Sequence, residues 1–176
     1  MRSKCVMSRD VLLLDIDETI LHVSRNWLHR APDFTFRLCR ECYHCYVRPG
    51  FTHFLKNARA RFDIGVWTAA TYDYGKAILK RIFGPMWRTH IVCFYHRRHC
   101  AIDAQSRYVK DLRRIRTTIG DRCTRVWMID DNIVHKRFNE SFDGSRVFLC
   151  RPYVAADHMD DELKRIWRKV SQTVRV

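Results

Sequence analysis

The sequence predicts an α/β three-layer sandwich around a mainly parallel sheet, with a small antiparallel β insertion after the first strand. Three observations lead there. Short unbroken apolar runs recur along the chain, stretches of helical periodicity fall between them, and residues 22–47 alternate with period two instead. A strand covered on both faces of a parallel sheet reads as an unbroken apolar run, whereas an amphipathic helix repeats at i, i+3, i+4.

The runs are Val11–Leu14, Ile64–Trp67, Ile91–Phe94, Val126–Ile129 and Val147–Leu149. Phe51, Phe54, Leu55 and Ala58 form the first helical stripe, after Pro49, a residue that suits a helix start. Ile78, Leu79, Ile82 and Phe83 form a second, closed by Gly84-Pro85. Leu112, Ile115 and Ile119 form a third, stopped by Gly120. Leu163, Ile166, Trp167 and Val170 form a fourth, with Asp160, Asp161 and Glu162 at its electropositive start. Strands alternating with helices imply a parallel sheet covered on both sides. The exception is residues 22–47, where Phe34, Phe36 and Leu38, then Tyr43, Cys45 and Val47, alternate like antiparallel strands.

At 176 residues the chain is expected to form a single domain with a sizeable core. Apolar residues make up 47% and charged residues 30%, ordinary for a folded protein. No stretch approaches the ~18 consecutive apolar residues of a membrane span. The opening Met1-Arg2-Ser3-Lys4-Cys5 does not read as a signal peptide, so an intracellular location, nuclear or cytoplasmic, is expected without membrane contact. Lys and Arg total 33 against 19 Asp and Glu, a formal charge of +14. That field favours anionic partners, whether a nucleic acid, an acidic membrane or a phosphorylated acidic peptide, although a solvated surface explains it equally well. Nothing specifies an oligomeric state.

Eight cysteines in an intracellular chain point to thiols or metal ligands rather than disulfides. Cys39, Cys42 and Cys45 are spaced Cys-x-x-Cys-x-x-Cys, with His44 among them. A structural zinc site takes four ligands, and no second Cys-x-x-Cys pair is present. Ordinary thiols on a hairpin are therefore the expectation; zinc would need His96, His99 or Cys100 brought close.

The chemistry lies in where the carboxylates fall. Ligands of open α/β sheets bind beyond the carboxyl ends of the strands. Asp15 and Asp17 follow the first run, Thr68 follows the second, and Asp130 and Asp131 follow the fourth, while Lys110 precedes a helix. Carboxylates packed together repel unless a divalent cation offsets them, and hard oxygen ligands suit Mg²⁺. Such a set suits phosphoryl transfer: one carboxylate attacks phosphorus, a second moves the proton, and a hydroxyl and an ammonium hold the phosphoryl oxygens. An isolated Asp-x-Asp usually caps a helix or turn, and an isolated Lys110 would be a surface lysine. Their joint placement at successive strand ends is the informative signal.

These residues resemble the haloacid-dehalogenase-like phosphatases, specifically the branch of RNA polymerase II C-terminal-domain phosphatases of the small, Fcp and NLI-interacting-factor-like types. Asp15-Ile16-Asp17-Glu18-Thr19-Ile20-Leu21-His22 looks like that branch's Asp-Leu-Asp-Glu-Thr-Leu-x-His signature. Val47-Arg48-Pro49-Gly50, Trp67-Thr68-Ala69-Ala70 with Tyr74, Tyr108-Val109-Lys110-Asp111-Leu112 with Cys100 ahead of it, Ile129-Asp130-Asp131-Asn132 and Asp160-Asp161-Glu162-Leu163 resemble its later motifs, in order. The resemblance implies a Rossmann-like sandwich that dephosphorylates phosphoserine and phosphothreonine through an aspartyl-phosphate. Asp15 would be nucleophile and Mg²⁺ ligand, and Asp17 the general acid/base with its backbone carbonyl on the metal. Thr68, Ala69 and Lys110 would bind phosphate. Asp131 would be the third metal ligand, with Asp130 an alternate ligand or a support behind it. Two departures stand out. Cys39–Cys45 replaces a usually apolar pocket stretch, and Thr71 stands where an apolar residue often lines the pocket; Trp27, Phe34, Phe36 and Leu38 are the aromatic and apolar residues left to build one.

Two other functions fit parts of this pattern. A phosphatase acting on nucleic-acid ends would use the same chemistry, and +14 would favour a polyanion. A catalytically inactive binding adaptor would need no intact set, yet Asp15, Asp17, Thr68, Lys110 and Asp131 are all present.

Overall fold

The computed structural model describes residues 9–119, 125–141, 145–155 and 159–173. In chain order, β1 (Val11–Leu14) is followed by β2 (Leu21–Ser24), β3 (Phe34–Leu38), β4 (Glu41–Val47), α1 (Phe51–Arg59) and β5 (Asp63–Trp67). Next come α2 (Tyr72–Phe83), β6 (Cys93–Tyr95), β7 (Ala101–Ile102), β8 (Tyr108–Val109) and α3 (Leu112–Ile119). β9 (Val126–Asp130), α4 (Ile133–Phe138), β10 (Ser145–Leu149) and α5 (Glu162–Thr173) complete the described chain.

The central sheet runs β10-β9-β1-β5-β6, and every pairing in it is parallel. β1 sits in the middle with all four residues buried, as its apolar run requires. Leu12 and Leu14 face one layer, packed with Phe54, Leu55, Ile78, Leu79, Leu163 and Ile166 of α1, α2 and α5. Val11 and Leu13 face the other, packed with Leu112 and Ile115 of α3. The expected three-layer sandwich is therefore present. β2, β4 and β3 form the small antiparallel sheet expected between residues 22 and 47.

Three local details differ from the sequence expectation. The run Ile91–Phe94 places its strand later, at Cys93–Tyr95, because a 3-10 turn at Trp87–Thr89 leads into it. Helix α1 begins at Phe51 rather than at Pro49, because Gly50 adopts φ 77°, a left-handed conformation that suits glycine. The six-residue α4 has too short a periodic pattern to announce itself; Asn132 starts it by accepting a hydrogen bond from the Val134 N–H. Gly120, Cys5 and Cys123 lie outside the described residues.

β5 and β6 approach closely at Gly65. A Cβ there would lie 2.5 Å from Cys93 Sγ and 2.7 Å from Leu13 Cδ2. At the other end of the sheet, the fully buried Glu162 starts α5 and holds the chain leaving β10. It accepts from the Arg151 N–H (2.9 Å) and from Nε of Arg151 (3.0 Å) and of Arg165 (2.6 Å). Burial by itself would raise its pKa, but Arg165 and Arg151 outweigh it and hold the carboxyl at about 2.

Gly65→Ala should lower stability by about 1–3 kcal/mol in urea unfolding, because the added methyl has no space to occupy. An unchanged midpoint would show that β6 is not pressed against β5. Glu162→Gln should cost about 2 kcal/mol at neutral pH, from lost charge-assisted hydrogen bonds. The sign follows from the depressed pKa: Glu162 stabilises fully above its unfolded value of 4.5, and that contribution fades as pH falls toward about 2. The gap between wild type and variant should narrow over that window; a constant gap would refute the assignment.

Candidate active site

The chain runs from β1 outward through β5 and β6, then returns to β9 and β10 on the other side of β1. The direction of sheet growth therefore reverses beside β1, and a crevice opens at the carboxyl ends of β1 and β9. Asp15 leaves β1 into it, its N–H bonded to the Ile129 carbonyl at 3.1 Å. Asp130 ends β9 and Asp131 follows it. The segment after Asp15 then turns sharply. Ile20 N–H bonds back to the Ile16 carbonyl (3.1 Å), and Glu18 takes φ 57°, a left-handed conformation for an L-residue. Glu18 is held there by its N–H on the Leu21 carbonyl (2.8 Å), its carbonyl on the Tyr153 N–H (2.7 Å), and its carboxylate against His22 Nδ1 (2.9 Å). The turn brings Thr19 back over the crevice, where its hydroxyl lies 3.2 Å from Asp15 Oδ2 and 3.3 Å from Asp131 Oδ1.

Lys110 enters from the β7–β8 hairpin and is 1% exposed. Its Nζ donates to Asp15 Oδ1 and to Asp130 Oδ2, the latter at 2.7 Å. Asp130 is the most heavily bonded of the four carboxylates at this edge: His135 Nδ1 lies 3.0 Å from it and the Asn132 N–H donates at 2.8 Å. Asn139 holds Lys110 in place, its Nδ2 donating to the Lys110 carbonyl (2.8 Å) and its Oδ1 accepting from Leu112 N–H (2.9 Å). The third side comes from β5. Thr68 Oγ1 lies 3.4 Å from Asp17 Oδ2 and accepts from the Ala70 N–H at 3.0 Å. Tyr74 of α2 donates to Asp17 Oδ1 at 2.5 Å. Ala69, half-buried, lies between Thr68 and Ala70.

A buried arginine closes the floor. Arg48, 1% exposed, forms a fork with both oxygens of Asp160 (2.9 Å each) and donates to the carbonyls of Thr19 (3.0 Å) and Arg151 (2.8 Å). It thus ties the turn carrying Thr19 to the chain between β10 and α5. Cys150 lies beneath, its Sγ 3.8 Å from Thr19 Oγ1, and burial pushes its thiol up to about 12, so it stays neutral.

The electrostatics divide the four carboxylates. Burial raises Asp15 well above the usual carboxylate range; Lys110 opposes this, and the charges of Asp130 and Asp17 add to it. Burial also raises Asp17 against the opposing hydrogen bond from Tyr74, and raises Asp131 with help from Asp130. Asp130 alone is held low, at about 2: burial works upward, but Lys110 and His135 prevail. Both buried carboxylates hold Lys110 as a cation, against its own burial. One ammonium among four carboxyl groups leaves room for more positive charge. The fit to a divalent cation is direct, since oxygens of Asp15, Asp130 and Asp131 all lie within 4.8 Å of one another.

All the residues singled out from the sequence thus meet at one sheet edge: Asp15, Asp17, Thr68, Ala69, Lys110, Asp130 and Asp131. Asp17 stands apart from the acidic trio by turning its carboxyl toward Tyr74 and Thr68. Sequence reasoning assigned no role to Thr19, His135 or Asn139, and left Arg48 and Tyr74 as motif members only. A hydroxyl four residues after Asp15 was the available signal for Thr19; His135 and Asn139 carried none. The cysteine run falls on a hairpin, with Cys39 at its exposed turn and Cys45 buried. Among the described residues the three cysteines belong to no cluster of metal-ligand geometry. Of the residues considered for a pocket, Phe36 is core, Phe34 and Leu38 lean on it, and Trp27 is 63% exposed. A cleft of about 1200 Å³ along the β10 edge is lined by none of these seven converging residues.

Comparison with known proteins bears on the family and the fold. The chain is 28% identical over 138 residues to the CTD nuclear envelope phosphatase 1 homolog of Drosophila melanogaster, covering 72% of this chain and 54% of that protein. It is 31% identical over 116 residues to the phosphatase PSR1 of Saccharomyces cerevisiae, covering 62% of this chain and 26% of that one. The chain thus spans about half the length of the nuclear envelope relative and a quarter of the yeast one. Among solved structures, Fcp1, an RNA polymerase II CTD phosphatase, superposes with a TM-score of 0.61 at 20% identity, over 83% of this chain and 42% of that one. Fission yeast Fcp1-R271A bound to beryllium fluoride gives 0.62 at 18% identity, over 94% and 50%. These structural matches share the fold. The family model for NLI interacting factor-like phosphatases matches residues 10–175, and with that match the chain belongs to the NLI interacting factor-like phosphatase family.

Proposed function

We propose that this domain is a phosphoric monoester hydrolase that works through Asp15 as nucleophile and Mg²⁺ as cofactor, acting on phosphoserine and phosphothreonine in proteins inside the cell. The observation that carries the reading is the meeting of Asp15, Asp130 and Asp131 oxygens around one point, with Lys110 against two of them. The phosphatase names of the relatives support the reaction class, and their CTD names support a phosphoprotein substrate.

In the first step an Asp15 carboxylate oxygen attacks phosphorus, and the bond from phosphorus to the serine or threonine oxygen breaks. Asp17 gives its proton to that leaving oxygen; burial, by raising its pKa, favours the protonated form the step needs. In the second step Asp17, now a carboxylate, takes a proton from water as the water oxygen attacks the phosphoryl-Asp15. Inorganic phosphate leaves and both carboxyl groups are restored. Thr68, the Ala69 N–H and Lys110 hold the phosphoryl oxygens, whose charge must be stabilised in the transition state. Asp15 and Asp131, with the Asp17 backbone carbonyl and Asp130 beside them, would hold a Mg²⁺ ion. When bound, the ion offsets the charge that otherwise keeps an anionic nucleophile from a phosphate.

The charge of +14 favours a second reading, hydrolysis of phosphates at nucleic-acid ends. Phosphopeptides, serine-proline heptads included, and 5′- and 3′-phosphorylated oligonucleotides, assayed across a salt series, separate the two. Turnover of a phosphopeptide with weak salt dependence supports the first. Turnover confined to oligonucleotides and falling steeply with salt supports the second.

Asp15→Asn should reduce turnover of p-nitrophenyl phosphate by about 10³-fold or more, since it removes the nucleophile, while the chain still unfolds cooperatively, because the amide oxygen keeps an acceptor for Lys110. Retained turnover would exclude this mechanism. EDTA should abolish the activity of the wild type and added Mg²⁺ should restore it; activity that survives chelation would exclude the metal-assisted reading.

A further inference from the structure

The reaction requires Asp17 to carry a proton, and the structure bears on which of its two oxygens does so. Tyr74 Oη lies 2.5 Å from Asp17 Oδ1. A phenol has one proton to give, and among the described residues this hydroxyl has no other hydrogen-bond acceptor. Oδ1 is therefore occupied as an acceptor, and an acid proton on Asp17 belongs on Oδ2. Oδ2 is the oxygen beside Thr68, 3.4 Å from its hydroxyl. Thr68 is the residue assigned to hold the phosphoryl group, so Oδ2 is the oxygen on the phosphate side.

The Tyr74 ring is held from two directions. Phe36 of β3 meets it edge to face at 5.6 Å and Tyr43 of β4 at 5.9 Å, while those two rings stack on each other at 5.0 Å. On the sheet side, the neighbouring Gly75 sits so close to Phe94 that a Cβ would lie 2.6 Å from the ring. Helix α2 is thus seated on the sheet while the antiparallel insertion grips the tyrosine. A side chain fixed in this way can fix the carboxyl it touches.

We propose that Tyr74 is a positioning residue for the general acid: its hydroxyl occupies Asp17 Oδ1 and leaves Oδ2 to exchange the proton with the leaving oxygen and then with water. The aromatic contacts of the insertion therefore bear on proton transfer as well as on packing. This inference rests on the phosphatase reading above.

The test is Tyr74→Phe, which keeps the ring and removes only the hydroxyl, measured as kcat/KM on two substrates with the same enzyme preparation. kcat/KM reports the steps through formation of the phospho-enzyme. A phosphoserine peptide has an alkoxide leaving group that needs a proton, whereas p-nitrophenyl phosphate has a leaving group that departs without one. The expected result is a loss of about tenfold to a hundredfold on the peptide, against less than about threefold on the aryl ester. Asp17→Asn should show the same substrate bias, larger. The ratio between substrates does not depend on how much of the variant is folded. An equal loss on both substrates, or no loss on either, would overturn the role of Tyr74 while leaving the phosphatase reading in place. A wild-type protein inert toward both substrates would overturn that reading, and this one with it.

Discussion

The site depends first on one buried cation among carboxylates. Lys110, nearly free of solvent, lies between Asp15 and Asp130. Removing an ammonium and two carboxylates from water is costly, and each group is tolerable there only because the others are present. The surroundings serve that arrangement. Asn139 holds the Lys110 backbone, His135 and the Asn132 N–H complete Asp130, and Thr19 bridges Asp15 to Asp131. The result is uneven by design of the packing: Asp130 is fully served as an anion, whereas Asp15, Asp17 and Asp131 are pushed toward their neutral forms by burial. That imbalance is the electrostatic feature on which the proposed binding of a divalent cation and a phosphoryl group rests.

Around this centre the fold supplies rigid supports from distant parts of the chain. Arg48, from the approach to α1, reaches the Thr19 carbonyl and Asp160 at once, so the turn after β1 and the entry to α5 share one guanidinium. A lysine could not make that fork together with two carbonyl contacts. The left-handed Glu18 costs some backbone energy, recovered in hydrogen bonds to Leu21, Tyr153 and His22, and it is what folds Thr19 back over Asp15. The antiparallel insertion has an equivalent part on the other side, because Phe36 and Tyr43 pack against the tyrosine that meets Asp17.

Much of this was legible in the chain before any coordinates. The five apolar runs marked the five parallel strands, and the period-two stretch marked the insertion, because burial on two faces and burial on one leave different patterns. Asp15, Asp17, Thr68, Asp130 and Asp131 could be placed at strand ends, which is where such folds bind ligands. His135 and Asn139 could not be read in this way. Each lies on or beside α4, a helix too short to produce a periodic signal, and each gains its meaning only from touching Asp130 or Lys110.

By itself, then, the sequence determined the layered α/β architecture, the strand ends that carry acidic groups and the family to which the chain belongs, because these follow from local pattern and motif. Strand order was a tertiary decision. Placing β9 beside β1 turns two acidic segments more than a hundred residues apart into one cluster, and no local pattern encodes that adjacency. The different surroundings of the carboxyl groups were decided there as well. Asp15, Asp17, Asp130 and Asp131 are chemically alike as residues; they differ because one meets a lysine, one a tyrosine, one a histidine and one a threonine, and those neighbours arrive only through the fold.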